Sequence, residues 1–194
     1  MILASVVAGL LLVGVLAAPF LAGLLPERDS QDRASDRTSD AAGATPLTDV
    51  EKFAITERDH TEDPVDYEQT PPAGGKHRPT WLDCGVYDDP VPNEYVVHDL
   101  EHGTVWITYD PDEVDAEGIA ALEEQLPDNG ILSPYPDLPA PVVVTVWGTQ
   151  LRLSGPEDTG LKDFIGAYSH GETAPEPMAS CHGGTRDPES GTTA

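Results

Sequence analysis

The sequence predicts a mixed α+β domain: a mainly antiparallel sheet of four to six strands with two or three helices, preceded by one N-terminal transmembrane helix. Three observations carry that prediction. Residues 1–25 contain no charged side chain. Between 104 and 154, short apolar runs alternate as strands do and are separated by proline and glycine. Before, between and after those runs, apolar residues fall at helical spacing.

The first element, MILASVVAGLLLVGVLAAPFLAGLL, is long enough for a bilayer, which takes ~20 apolar residues. A signal peptide, the alternative, would show a basic start and an apolar run of about 7–15 residues. The basic residues Arg28, Arg33 and Arg37 follow the span, and the positive-inside rule on its own would place the domain in the cytoplasm. The cysteines discussed below argue the opposite. The expectation is a single-pass protein of the cell membrane with its domain on the extracytoplasmic side. Residues 26–46, PERDSQDRASDRTSDAAGATP, are polar and lack aromatic residues, so they are read as a disordered tether.

The domain is predicted to span residues 47–182, with a disordered tail over 183–194. Glu51–Thr56 reads as a short strand, and a long turn-rich stretch follows to Asn93. Within it, Pro71-Pro72-Ala73-Gly74-Gly75-Lys76-His77 forms a bend, because proline restricts φ and glycine permits positive φ. Gly85-Val86-Tyr87 reads as a second short strand. Asn93 is a capping residue for a helix over Glu94–His102, with Val96, Val97 and Leu100 on its apolar side and Gly103 as its stop.

Thr104–Asp110 alternates as a strand. Asp110-Pro111-Asp112-Glu113 carries helix-start signals, a cap with proline behind it, and predicts a helix to about Leu126. Strands follow at Ile131–Tyr135, Val142–Trp147 and Leu151–Ser154. Val142-Val143-Val144 suits a central strand buried on both faces. Leu161, Phe164, Ile165 and Tyr168 predict a last helix over Gly160–Ser169. The chain from Glu172 onward is rich in proline and glycine and is expected to be mostly loose.

Formal net charge is −25, from 35 acids against 10 bases in 194 residues. Such a surface repels nucleic acid and anionic headgroups, so neither is expected as a partner. It attracts cations. The hydrophobic share is 39%, with 19 prolines and 18 glycines, which implies a modest core wrapped in turns.

Cys84 and Cys181 suit a disulfide in an oxidising compartment. The alternative is that both join His182 as metal ligands. The six histidines are His60, His77, His98, His102, His170 and His182. His98 and His102 stand four apart and share a face on a helix or a strand. Neutral imidazoles with a carboxylate suit zinc, copper, iron or nickel. His77 on its bend is the candidate third ligand, with His60 and Glu101 as further candidates. Otherwise the pair is simply buried and hydrogen-bonded. His98-Asp99-Leu100-Glu101-His102 also matches H-x-x-E-H, in which the glutamate activates a zinc-bound water. That motif has only three fixed residues, and zinc proteases of this kind are much larger. Ser133 and Ser154 lack a nucleophile setting. Trp81, Trp106 and Trp147 read as core or loop anchors.

Taken together, these segments have a family pattern. It runs through Tyr67, the bend ending at His77, Trp81, Gly85-Val86-Tyr87, Val97-His98-Asp99-Leu100-Glu101-His102-Gly103 and Tyr109. It continues through Leu132-Ser133-Pro134-Tyr135-Pro136, Ala140-Pro141 and Trp147-Gly148. Over roughly Ile55 to His182, the chain resembles a bacterial family catalogued as domain of unknown function number 3105. Lys76 departs from it, standing where proline often precedes the histidine. The resemblance implies a secreted or single-span protein with the domain outside, and it groups His60, His77, His98, Glu101 and His102.

The leading expectation is a membrane-tethered domain that binds zinc or copper through His77, His98 and His102, assisted by Glu101 or His60. The alternatives are a non-metal interaction module for another envelope protein and a small hydrolase with Glu101 as base. The sequence names no substrate, and the reading leans away from an enzyme.

Overall fold

The computed structural model describes residues 45–188. The expected membrane span (1–25), all but the last two residues of the tether and residues 189–194 of the tail lie outside the described residues. Within them, no helix is long and apolar enough to cross a membrane.

Six strands form one mixed sheet: β1 (Glu51–Lys52), β2 (Gly85–Val86), β3 (Val105–Tyr109), β4 (Gly130–Pro134), β5 (Val142–Val146) and β6 (Thr149–Leu153), in the order β1-β6-β5-β3-β4-β2. β1 with β6, β6 with β5, and β5 with β3 run antiparallel; β3 with β4 and β4 with β2 run parallel. The parallel pair arises because helix α2 (Ala116–Gln125) carries the chain from the end of β3 back to the start of β4. β5 and β6 form a hairpin across Trp147-Gly148, with Val146 opposite Thr149. Gly148 takes φ +65° there, a conformation that suits glycine.

Alternation along the strands divides the interior in two. Val105, Ile107, Tyr109, Leu132, Val142, Val144, Leu151 and Leu153 face one core, closed by Leu122 of α2 and by Leu161 and Phe164 of helix α3 (Gly160–Tyr168). Trp106 and Ile131 face the other, with Val96, Val97 and Leu100 of helix α1 (Asn93–Glu101). Both faces are covered, so of the residues in β3 to β6 only Arg152 is exposed. The expected central position of Val142-Val143-Val144 is correct: β5 lies between β3 and β6.

Several boundaries differ from expectation, each for a local reason. The first strand keeps only Glu51–Lys52, because Phe53 N–H already donates to Gly148 O at the turn of the hairpin. Asn93 lies inside α1 rather than capping it; its side-chain amide reaches the Tyr135 hydroxyl at 3.4 Å. α2 starts at Ala116, not Asp110. Asp110 Oδ1 instead accepts from Asp112 N–H in a tight turn, and Asp115 caps the helix by accepting from Gly118 N–H at 2.9 Å. The segment after α3 is not loose. Glu176 N–H donates to Glu101 O, and Thr185 forms a bridge with Leu82. Beyond His182 the chain stays in place as far as Arg186, which donates to Cys84 O and Val86 O. The expected disulfide joins Cys84 and Cys181 and fastens this segment to the loop before β2.

Candidate metal centre

α1 presents two stripes. At about 100° per residue, Val96 and Leu100 point one way, while His98, Glu101 and His102 share an arc of about 100° on the other side. Leu100 is fully buried, and burial of such a side chain contributes about 2 kcal/mol, which fixes the rotation of the helix. The polar stripe therefore faces the loops around residues 57–81 and 171–181. It is buried as well: His98, Glu101 and His102 are each about 5% exposed.

The proline-glycine bend brings His77 to this stripe. Gly148 N–H of the hairpin turn donates to Ala73 O at 2.6 Å, and the Tyr67 hydroxyl donates to Lys76 O at 2.7 Å. Gly74, at φ +142°, lies against Trp147 so closely that a Cβ would sit 3.2 Å from the indole. His77 is completely buried, with its ring edge-on to Trp147. Backbone bonds from Thr61 N–H to His77 O and from His77 N–H to Asp59 O make a parallel bridge that sets His60 beside His77.

Four side chains converge. One ligand-type atom from each of His60, His77, His98 and Glu101 lies within 4.8 Å of the others. The His60 ring lies 5.0 Å from the rings of both His77 and His98, and the His77 and His98 rings are 4.9 Å apart. Of the expected trio, His77 and His98 are in this group. His102 stands beside it, its ring 4.6 Å from that of His98, its Nε2 turned toward Glu176 Oε2 at 3.8 Å. His182 and His170 are elsewhere, in surface pairs with Asp128 and Glu172.

Backbone carbonyls orient the buried imidazoles. His77 Nδ1 lies 2.8 Å from Gly75 O, His98 Nδ1 2.6 Å from Arg78 O and His102 Nδ1 3.3 Å from Ser180 O. A carbonyl only accepts, so each Nδ1 carries a hydrogen, and in the neutral imidazole Nε2 then presents a lone pair. Histidine ligands to metals are commonly set in this way. Burial, opposed by the bond to Arg78 O and reinforced by the neighbouring histidines, pushes His98 down to about 4. Burial also lowers His102, against the bond to Ser180 O and the nearby carboxylates. A metal requires neutral imidazoles of this kind.

Sequence reasoning did not find the three carbonyls, Glu176 or the role of Asp99. Asp99 is fully buried on α1, and its Oδ2 accepts from Leu82 N–H at 3.0 Å. Burial raises its pKa well above the carboxylate range, against that bond. This contact holds the strand-like turn that carries Trp81, whose ring lies 5.4 Å from His98 and 5.2 Å from His102. The available signal was an acid bordering the apolar side of α1. Trp81, read as an anchor, does wall the centre.

The donor set is three imidazole nitrogens and one carboxylate oxygen. Both cysteines are in the disulfide, so neither Cys84 nor Cys181 offers a thiolate. Such a set suits zinc or copper(II) rather than the all-oxygen preference of magnesium or the soft sulfur preference of copper(I). His77 Nε2 and Glu101 Oε2 are 3.1 Å apart, a hydrogen-bond distance that is also close to the roughly 3.3 Å between two ligands of one tetrahedral ion.

No curated protein and no solved structure matches the chain. A family model described as a protein of unknown function, DUF3105, matches residues 59–183. That stretch begins one residue before His60 and ends two after Cys181, so it contains all four converging side chains and the disulfide. The match covers more than half of the 194 residues, and the chain belongs to the DUF3105 family.

Proposed function

We propose that this domain binds one transition-metal ion, zinc or copper(II), through His60, His77, His98 and Glu101. The observation that carries the reading is the convergence of four donor atoms within 4.8 Å from three separate segments. A hydrophobic core seldom needs imidazoles from three segments at one point, whereas a coordination shell does. The lone pairs of His77 and His98 are preset by their carbonyl partners. His102 packs against His98 at the side of the centre.

The test is metal content. Protein purified without a polyhistidine tag and incubated with zinc or copper(II) should hold about one ion per chain. A content that stays near zero overturns the reading. It would favour the interaction-module alternative, in which the histidines only pack.

The same proposal places the domain outside the cytoplasmic membrane, tethered by residues 1–25. The uncharged segment and the disulfide support this, because disulfides persist in oxidising compartments. External protease added to intact cells should digest the domain, and the residual segment should fractionate with membranes. Protection of the domain would place it inside.

A further inference from the structure

The four donors are not equivalent, and the difference points to what the centre does with its ion. His77 is completely buried, and His98 and Glu101 are about 5% exposed, whereas His60 is exposed. The rings of His77 and His98 are locked by Gly75 O and Arg78 O. Among the described residues, the His60 ring has no hydrogen-bond partner; it stacks on His98 and meets His77 edge-on. Its backbone is fixed by the bridge to His77, so the imidazole can rotate about its side-chain torsions without any loss of fold. Charged side chains of both signs surround this corner. Glu57 and Glu62 are exposed but paired with Lys76 and Arg78, while Asp59, Asp63 and one cation, Arg58, are exposed and make no ion pair among the described residues.

We propose, resting on the metal-binding reading above, that the centre is a transfer site, and that metal enters and leaves by ligand exchange at His60. His77, His98 and Glu101 form a buried three-point base that retains the ion. An incoming nitrogen- or oxygen-donor chelating group bonds to the metal from the solvent side as the His60 nitrogen leaves. The oxidation state of the metal does not change and no electron moves. The bound ion is then shared between the base and the acceptor, and it departs as the acceptor supplies further donors. A purely structural site would instead be closed on all sides by fixed ligands.

The experiment uses the full chain loaded with zinc, with the stoichiometry measured first. Zinc release to a chromogenic chelator is followed over a range of chelator concentrations, for the wild type and for His60→Ala. The expected wild-type rate rises in proportion to chelator concentration. His60→Ala should still bind zinc, with affinity weakened by at least the roughly 10-fold that loss of an orienting partner costs, and should release it faster at every chelator concentration. His60 is exposed, so this variant should fold, which the melting curve of the metal-free protein checks. A wild-type rate independent of chelator concentration overturns the proposal, because the ion would then leave by opening of the fold. Unchanged affinity and rate in His60→Ala also overturn it. Absence of bound zinc in the wild type defeats the metal reading itself, and the initial stoichiometry distinguishes that failure from the others.

Discussion

Nε2 of His77 lies 3.1 Å from Oε2 of Glu101, and both residues are buried. Since Nδ1 of His77 already donates to Gly75 O, in the neutral ring an Nε2 lone pair faces the carboxylate. Two acceptors at that distance require a proton or a cation between them. Glu101→Gln separates the two possibilities. The amide can donate to Nε2, so the metal-free variant should melt within a few degrees of the wild type. It should lose most of its metal-induced stabilisation, which for zinc at 100 times its dissociation constant is about 2.7 kcal/mol. Thermal melts with and without zinc check this. Equal zinc-induced shifts in variant and wild type would remove Glu101 from the ligand set.

Acid should destabilise the metal-free domain through His98. Burial pushes its pKa down to about 4 in the folded state, against about 6.5 in the unfolded chain. Between those values the unfolded chain binds more protons, so stability falls as pH drops from about 6.5 to about 4 and the His98 contribution then levels off. At roughly 1.4 kcal/mol per pH unit, the loss is about 3 kcal/mol. His102 is lowered for the same reason and adds to it. Denaturant titrations at successive pH values measure this, and His98→Gln should flatten that limb. A wild-type stability constant between pH 7 and 4.5 would contradict the buried, neutral state.

The legible parts of this molecule were those with local causes. The alternation of Val105–Tyr109 marked a strand by its period of two, and the unbroken apolar run of Val142–Val144 marked one buried on both faces. The same period does not reveal whether neighbours run parallel, and the β3–β4 pairing was not anticipated. Asp110-Pro111 imitated a helix start because a tight Asx turn uses the same residues as a cap. In the centre, His77 and His98 were legible from their rigid settings. The choice between His60 and His102 was not, because it depends on the rotation of α1 and on Ser180, 78 residues further along the chain, whose carbonyl takes the Nδ1 hydrogen of His102.

The disulfide should support the centre as well as the fold. Cys181 follows Ser180, whose carbonyl orients His102, and its partner Cys84 is 97 residues away. Closing a loop of that length is worth roughly 4–5 kcal/mol by chain entropy. The double variant Cys84→Ser, Cys181→Ser should therefore melt far lower. In conditions where it stays folded, zinc affinity should fall by less than for His98→Ala, because His102 lies beside the four converging donors. Calorimetric titration of the three proteins makes the comparison. A disulfide-free protein that melted like the wild type would show that the hydrogen bonds of Thr185 and Arg186 suffice to hold the segment.

Asp158 should affect stability without affecting the metal. Its side chain is 3% exposed and accepts from Thr45 N–H and hydroxyl, Ser154 N–H and hydroxyl, and Gly160 N–H. Burial works to raise its pKa, but the bonds from Thr45 and Ser154 outweigh burial and hold it well below the carboxylate range. Its contribution is therefore present above the unfolded value of about 4 and is lost as pH falls below that. Asp158→Ala leaves several donors unpaired and should cost about 2–4 kcal/mol. It should remove the stability loss below pH 4 and leave the His98 limb above pH 4 intact. Asp158 secures α3 and the end of the tether against the core formed with α2 and α3, whereas the histidines sit with α1 against the other core. Zinc affinity of the folded variant should match the wild type within about twofold, since distant sites act additively. A large loss of affinity in Asp158→Ala would show that the two faces of the sheet are coupled.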